Sequence, residues 1–152
     1  MPYLHAVIAA GRPAAQKRSL IRALTDATQR VLGVPRSDVC VFICELSTEN
    51  LGAGGEEPDA AKINNFTMFL REGRHLTVRT ALLEALTDAA EMELGVPRPN
   101  IQILLSEVAP ANIGEGGVPM GPAKQPTWFI AGRDAPSGPA RLSETSSRRE
   151  LP

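Results

Sequence analysis

Several features that assign a chain to a class at a glance are scarce in this sequence. Its 152 residues include one tryptophan, one tyrosine, four phenylalanines and two cysteines. No apolar run approaches the roughly 20 residues that span a bilayer, so we expect no membrane partner. The formal net charge of −1, from 16 basic and 17 acidic side chains, provides no overall field to attract nucleic acid, so no nucleic-acid partner is expected either. The first residues lack the basic region of a secretory signal, and a cytoplasmic location is expected.

The two cysteines argue against both a disulfide and a metal site. Cys40 and Cys44 stand in one alternating apolar stretch. In a strand their spacing separates them by roughly 13 Å, whereas a disulfide needs Cα atoms within about 7 Å. No histidines cluster with them, so the sequence predicts two buried, reduced thiols and no metal site.

An internal repeat organises the chain. Gly11-Arg12 recurs as Gly73-Arg74, an offset of 73 − 11 = 62 residues, and the same offset relates further segments without a gap. These segments are Leu24–Ala27 with Leu86–Ala89, Gly33–Arg36 with Gly95–Arg98, and Asn50–Gly55 with Asn112–Gly117. The repeat predicts one domain over residues 2–121, built from two units, 2–58 and 64–121, and followed by a C-terminal extension over 122–152.

Each unit has the pattern of a strand, a helix and a second strand. In the first unit, apolar residues alternate as in a strand at Leu4, Ala6 and Ile8. They then recur along one helical face at Leu20, Leu24, Ala27 and Val31. Gly33 followed by Pro35 is typical of a helix end. Because a strand, a crossover helix and a parallel strand form one right-handed unit, we expect an α/β (α+β) fold in which tandem β-α-β units form a four-stranded sheet with both helices on one face.

The sheet face opposite the helices is also expected to be apolar in places. The residues concerned are Val7, Phe42, Phe69 and Leu104. No helix is left in the repeats to cover them, so another subunit is the expected cover.

A glycine-rich stretch ends each unit and predicts a tight β-hairpin. Neither stretch is a phosphate loop, because no Lys-Ser or Lys-Thr follows and no helix starts there. From Pro122 onward the repeat pattern decays. Trp128-Phe129-Ile130 is expected to pack on the domain or on a neighbouring subunit, and residues 134–152 are expected to be mobile.

Together, several of these features resemble the tautomerase superfamily. They are a proline at position 2, the Gly-Arg pair after the first strand, Gln16-Lys17 at the start of the helix, Gly-Val-Pro after the helix and the Gly-x-Gly-Gly hairpin. The type enzyme, 4-oxalocrotonate tautomerase, is a single β-α-β unit with a catalytic amino-terminal proline, and this chain is similar to two such units fused. The resemblance implies that the substrate is a small carboxylic acid, that no cofactor and no metal are used, and that the chain forms a homotrimer.

Removal of Met1 would make Pro2 the first residue, with a free secondary amine. An α-amino group titrates at roughly 7.7–8.0, so this nitrogen can take or give a proton near neutral pH. The second unit has Asn64 at the matching position, whose backbone nitrogen is internal. Only the first unit can therefore supply the amine, and the resemblance implies that Pro2 is catalytic.

The second unit has the charged groups that the first unit lacks. Arg71 and Arg74 stand three residues apart at the end of its first strand, close enough to bind one carboxylate with forked hydrogen bonds. Its hairpin has Glu115 where the first unit has Ala53.

This division is similar to that of the 3-chloroacrylic acid dehalogenases, the branch of the superfamily that adds water to α,β-unsaturated acids. The resemblance implies that Arg71 and Arg74 hold the substrate carboxylate, that Glu115 activates water, and that protonated Pro2 delivers a proton to carbon. Arg12 is a third candidate for substrate binding, with capping of a strand end as the alternative.

Departures from the family patterns keep three functions open. The cis-specific dehalogenases carry a histidine and a tyrosine where this chain has Gln29 and Leu104, and an arginine of 4-oxalocrotonate tautomerase is replaced by Cys40 and Gln102. The first expectation is hydration or hydrolytic dehalogenation of a 3-haloacrylate-like acid. The alternatives are a keto-enol tautomerase of 4-oxalocrotonate or phenylpyruvate type, and an inactive trimer that binds an anion or a protein partner.

Overall fold

The structure is a computed structural model that describes residues 2–129. Its regular elements follow the predicted order of two β-α-β units and a final hairpin. They are β1 Tyr3–Ala9, α1 Ala14–Leu32, β2 Cys40–Leu46, β3 Asn64–Arg71, α2 Leu76–Leu94, β4 Gln102–Val108, β5 Gly114–Glu115 and β6 Val118–Pro119.

The four long strands form one mixed sheet in the order β2-β1-β3-β4. Within each unit the two strands pair in parallel, as the crossover helix requires. The two units join through β1 and β3, which run antiparallel with Tyr3 opposite Phe69. The predicted four-stranded sheet of tandem β-α-β units is therefore confirmed.

The hydrophobic core lies between the sheet and the two helices. Inward side chains of β1 and β3 are buried in alternation, and the apolar faces of α1 and α2 pack on them. Fully buried examples are Leu4, Ile8, Leu20, Leu24, Phe66, Met68, Leu82 and Leu86. Burial of each such side chain contributes about 1.5–3 kcal/mol, which fixes both helices on one sheet face as predicted.

A left-handed glycine ends each long helix. Gly33 (φ 63°) and Gly95 (φ 64°) donate their N–H groups to the carbonyls of Gln29 and Glu91. A side chain would strain this conformation, which explains the repeated Leu-Gly-Val-Pro sequence. The turn after Gly33 carries Val34 and Asp38 toward the start of β1.

The opposite sheet face is apolar and uncovered within one chain. Phe42 and Leu104 remain 46% and 60% exposed. The ring of His5 lies edge-on against Phe42 and Phe69, with centroids 5.1 and 5.3 Å away. The prediction of an apolar outer face is confirmed.

The prediction that both thiols are buried is wrong. Cys40 and Cys44 are free, as predicted, but Cys44 is exposed and Cys40 only partly buried. Both residues lie on β2, which is an edge strand of the sheet, so the single chain offers their outward side chains no cover.

Both glycine-rich stretches form tight turns, as predicted. In the second, β5 pairs with β6 around Gly116 and Gly117, whose φ angles are 58° and 81°. The first has the same turn with a single bridge, between Ala53 and Glu56.

The chain continues from the second hairpin back over the domain. Trp128 and Phe129 pack against the core, which confirms the prediction for these two residues. Ile130 and the stretch 134–152, which we expect to be mobile, lie outside the described residues. Within residues 2–129, neither long helix is long and apolar enough to cross a membrane.

Candidate active site

Pro2 lies buried at the start of β1, beside the end of β3. Its carbonyl accepts a hydrogen bond from the N–H of Cys40 (3.1 Å), which holds it at the parallel junction of β1 and β2. Because β1 and β3 are antiparallel, the position before Tyr3 meets the residues after Phe69. A cavity of about 40 Å³ is lined there by Pro2, Val34, Asp38, Leu70, Arg71, Arg74 and Met120. The structure thus brings together three of the five predicted site residues.

The same arginine pair also lines a larger cavity. Its volume is about 420 Å³, and it shares Val34, Asp38, Arg71 and Arg74 with the small cavity. The end of α1 and residues 122–127 complete its wall. Among residues 2–129, no group of three or more His, Cys, Asp or Glu side chains is placed to hold a metal ion.

The arginine pair is held by neutral acceptors. Arg71 donates from Nη1 to the carbonyl oxygens of Gly121 (2.8 Å) and Pro122 (3.4 Å), and Arg74 donates from Nη1 to that of Lys124 (3.1 Å). Within residues 2–129, neither guanidinium forms a salt bridge with a carboxylate.

Burial makes this lack of an anion costly for Arg74. Only 7% of the residue is exposed, and its Nε is buried without a hydrogen-bond partner. Burial, and next the positive charge of Arg71, lower the pKa of Arg74, while Glu107 opposes them more weakly. Buried charges are normally paired, so two adjacent cations with uncharged partners form a site suited to an anion.

Asp38 is a site residue that the sequence reasoning missed. It lies in the short turn after α1, lines both cavities, and accepts a hydrogen bond from Ser37 Oγ (3.3 Å). The second unit has Asn100 at the matching position, 38 + 62 = 100. A charged residue in one repeat thus matches a neutral residue in the other. This difference could have identified Asp38, in the same way that the difference between Ala53 and Glu115 identified Glu115.

Glu115 lies outside both cavities in the single chain. It is exposed on the short strand β5 and does not line either cavity with Pro2. The single chain therefore does not bring Glu115 to the cavity that Pro2 lines. The catalytic role of Glu115 therefore stays a prediction.

Arg12 is bound at the opposite end of the molecule. Its Nη1 donates to the carbonyl of Leu94 (3.2 Å), at the end of α2. A cation is favourable at a helix C-terminus, so Arg12 caps the end of α2. The predicted alternative was the capping of a strand end, and the observed contact is with a helix end instead. Asn64, which matches Pro2, is fully buried in the second unit and donates to the carbonyls of Ala61 and Asn100.

The two units each match one family model. The sequence model of the family Tautomerase, whose description is "Tautomerase enzyme", matches residues 2–61 and again residues 66–122. The chain belongs to the tautomerase family.

Two curated relatives are each about as long as one unit. A probable tautomerase from Ralstonia nicotianae is 42% identical over 57 residues, which are 38% of this chain and 81% of that protein. A 2-hydroxymuconate tautomerase from Pseudomonas putida is 39% identical over 64 residues, which are 42% of this chain and 98% of that protein.

Two solved structures share the fold over most of this chain. A fused 4-OT described as a wild-type asymmetric trimer has a TM-score of 0.74 at 26% identity, over 77% of this chain and 94% of that chain. N1, a member of the cis-3-chloroacrylic acid dehalogenase family, has a TM-score of 0.70 at 21% identity, over 80% of this chain and 85% of that chain. At that identity the second likeness concerns the fold alone.

Proposed function

We propose that this tautomerase-family enzyme uses the amine of Pro2 on a small unsaturated or enolic carboxylic acid held by Arg71 and Arg74. The observation that carries the proposal is the cavity that Pro2 shares with both arginines. The arginines bind the substrate carboxylate. The amine exchanges a proton with a carbon atom of the substrate that lies next to this carboxylate. Removal of Met1 is required, because the nitrogen of an internal proline is a non-basic amide.

Our preferred reaction is hydration of a 3-haloacrylate-like acid. The arginine pair stabilises the enediolate-like charge that builds on the carboxylate when water attacks carbon 3. Protonated Pro2 then delivers its proton to carbon 2, which completes the addition of water across the double bond. The hydroxyl and the halogen now share carbon 3, and loss of hydrogen halide leaves an aldehyde.

Two carboxylates are candidates for the general base that activates water. Asp38 lines both cavities in the single chain. Glu115 has the role that the dehalogenase resemblance implies, but it requires another copy of the chain. We propose that assembly into a homotrimer supplies that copy, since the similar fused 4-OT is described as a trimer and the outer sheet face is apolar.

The second candidate function is keto-enol tautomerisation. The 39% identity to a 2-hydroxymuconate tautomerase favours it. Neutral Pro2 would then remove a proton from the enol oxygen and return one to carbon, and no carboxylate would have to activate water.

The two reactions are separated by assaying one preparation on both substrate types. Halide release from 3-chloroacrylate that is lost in Pro2→Ala supports the hydratase. Ketonisation of 2-hydroxymuconate that survives both Asp38→Asn and Glu115→Gln but not Pro2→Ala supports the tautomerase. No Pro2-dependent turnover of either acid would leave the anion-binding trimer and reject the proposed catalysis.

A further inference from the structure

The segment 121–129, which we call the strap, lies across the arginine pair. We propose that the strap is a part of the active site that orients Arg71 and Arg74 for the substrate carboxylate, and that Gln125 is the residue that positions it. This inference rests on the proposed function in one respect, namely that the arginine pair binds the carboxylate.

The strap orients the arginines without neutralising them. Each guanidinium donates through Nη1 to main-chain carbonyls of the strap, at Gly121 and Pro122 for Arg71 and at Lys124 for Arg74. Carbonyl oxygens fix the plane of a guanidinium but carry no charge. Both positive charges therefore remain available to an anion, which a carboxylate in the strap would have prevented.

Gln125 ties the strap to the turn that carries Arg74. Its Nε2 donates to the carbonyl of Gly73 (2.6 Å), and its Oε1 accepts from the N–H of His75 (3.4 Å). One amide thus bonds to both chain neighbours of Arg74, so that a shift of the strap relative to the arginine breaks two hydrogen bonds.

The far end of the strap is fixed to the end of α1. Trp128 donates from Nε1 to the carbonyl of Val31 (2.7 Å), and Phe129 stacks on His75 with ring centroids 4.9 Å apart. Pro126 lies so close to Gly33 that a Cβ added there would be 3.3 Å from the Pro126 Cβ. The strap therefore spans from the start of α2 to the end of α1 and forms one wall of the 420 Å³ cavity.

The Gly-Arg turn of the first unit has a different hydrogen-bond partner. Arg12, the counterpart of Arg74, donates to the fixed carbonyl of Leu94 at a helix end. In the first unit, the positions that match 121–125 by the 62-residue offset are 59–63, and they lead directly into β3. Arg71 and Arg74, which share a cavity with Pro2, donate to the strap, whereas Arg12 donates to a helix end.

The test is the affinity for propionate, an unreactive carboxylate, measured by calorimetry on the full chain. Gln125→Ala should weaken binding about tenfold, because the guanidinium groups lose their fixed orientation. Trp128→Phe keeps the ring packing but loses the bond to Val31, and should weaken binding in the same direction. In steady-state assays Gln125→Ala should raise KM more than it lowers kcat.

The matched control is Gln16→Ala at the opposite end of the molecule. Gln16 also donates from Nε2 to a main-chain carbonyl, that of Glu93 (2.8 Å). Gln16→Ala should also lower thermal stability but leave the propionate affinity unchanged. Equal affinity losses in the two variants, or a wild-type affinity in both Gln125→Ala and Trp128→Phe, would overturn the proposal.

The propionate affinities distinguish an error in the strap proposal from an error in the proposed function. If Arg74→Ala weakens propionate binding and neither Gln125→Ala nor Trp128→Phe does, the strap proposal alone is contradicted. If Arg74→Ala binds propionate normally, the arginine pair is not the carboxylate site and the proposed function itself is contradicted.

Discussion

Pro2 and Arg74 line the same small cavity because the two units join through antiparallel strands. The start of β1 meets the end of β3 in this arrangement, so Pro2 of one unit lines a cavity with Arg71 and Arg74 of the other. The relationship is not reciprocal. At the opposite end, Asn64 fills the position of the amine and Arg12 is bound to the end of α2. One chain therefore brings Pro2, Arg71 and Arg74 together at one end of the sheet only.

Replacement of Pro2 should strongly lower turnover and leave the fold intact. Pro2→Ala still offers a primary amine, but with different basicity and geometry, so we expect a loss of roughly 100- to 10,000-fold in kcat/KM, the range of general acid–base catalysis. Circular dichroism and propionate binding should stay at wild-type values, because the arginine pair is unchanged. Wild-type kcat/KM in this variant would contradict the role of Pro2.

Substitutions of Arg74 should act on carboxylate binding. Arg74→Ala removes charge-assisted hydrogen bonds worth about 1.5–3 kcal/mol, so KM should rise by about 10- to 150-fold. Arg74→Lys keeps the charge but loses the fork, and should recover only part of the loss. Arg98→Ala is the control, because Arg98 is paired with Asp88 and Glu91 away from the cavities. A similar rise in KM for Arg98→Ala would show that the effect is not specific.

The water-activating carboxylate can be identified by paired amide substitutions. If Asp38 is the base, Asp38→Asn should lower halide release by at least about 100-fold and Glu115→Gln should change it little. If Glu115 acts from another copy of the chain, the order is reversed. Halide release measured in both variants decides between them, and wild-type rates in both would contradict hydration through either residue.

Much of the site was predictable from the sequence, and what was missed has a physical reason. The repeat places Pro2 and Asn64 at matching positions, and strand pairing then brings Arg71 and Arg74 to the amine. The strap could not be predicted in this role, because it contacts the arginines through main-chain carbonyls, which every residue possesses. The residue types at positions 121 and 124 therefore give no sign of these bonds.

Oligomerisation should depend on the apolar outer face. Leu104→Glu places a carboxylate on a surface that a trimer would bury, and burying an unpaired charge costs several kcal/mol. Sedimentation should then show a single chain of 16.2 kDa in place of a trimer. Arg22→Glu, an exposed position on α1, is the matched control and should leave the assembly unchanged. A trimer that persists in Leu104→Glu would show that this face is not the interface.

The central claim is that Pro2 is a free amine in a cavity that recruits carboxylates. The most direct measurement is mass spectrometry of the intact chain after incubation with 3-bromopropiolate, an acid that reacts with such an amine. We predict a chain without Met1 that carries one adduct on the Pro2 nitrogen, with slower labelling in Arg74→Ala. An unlabelled chain that still carries Met1 would contradict the account.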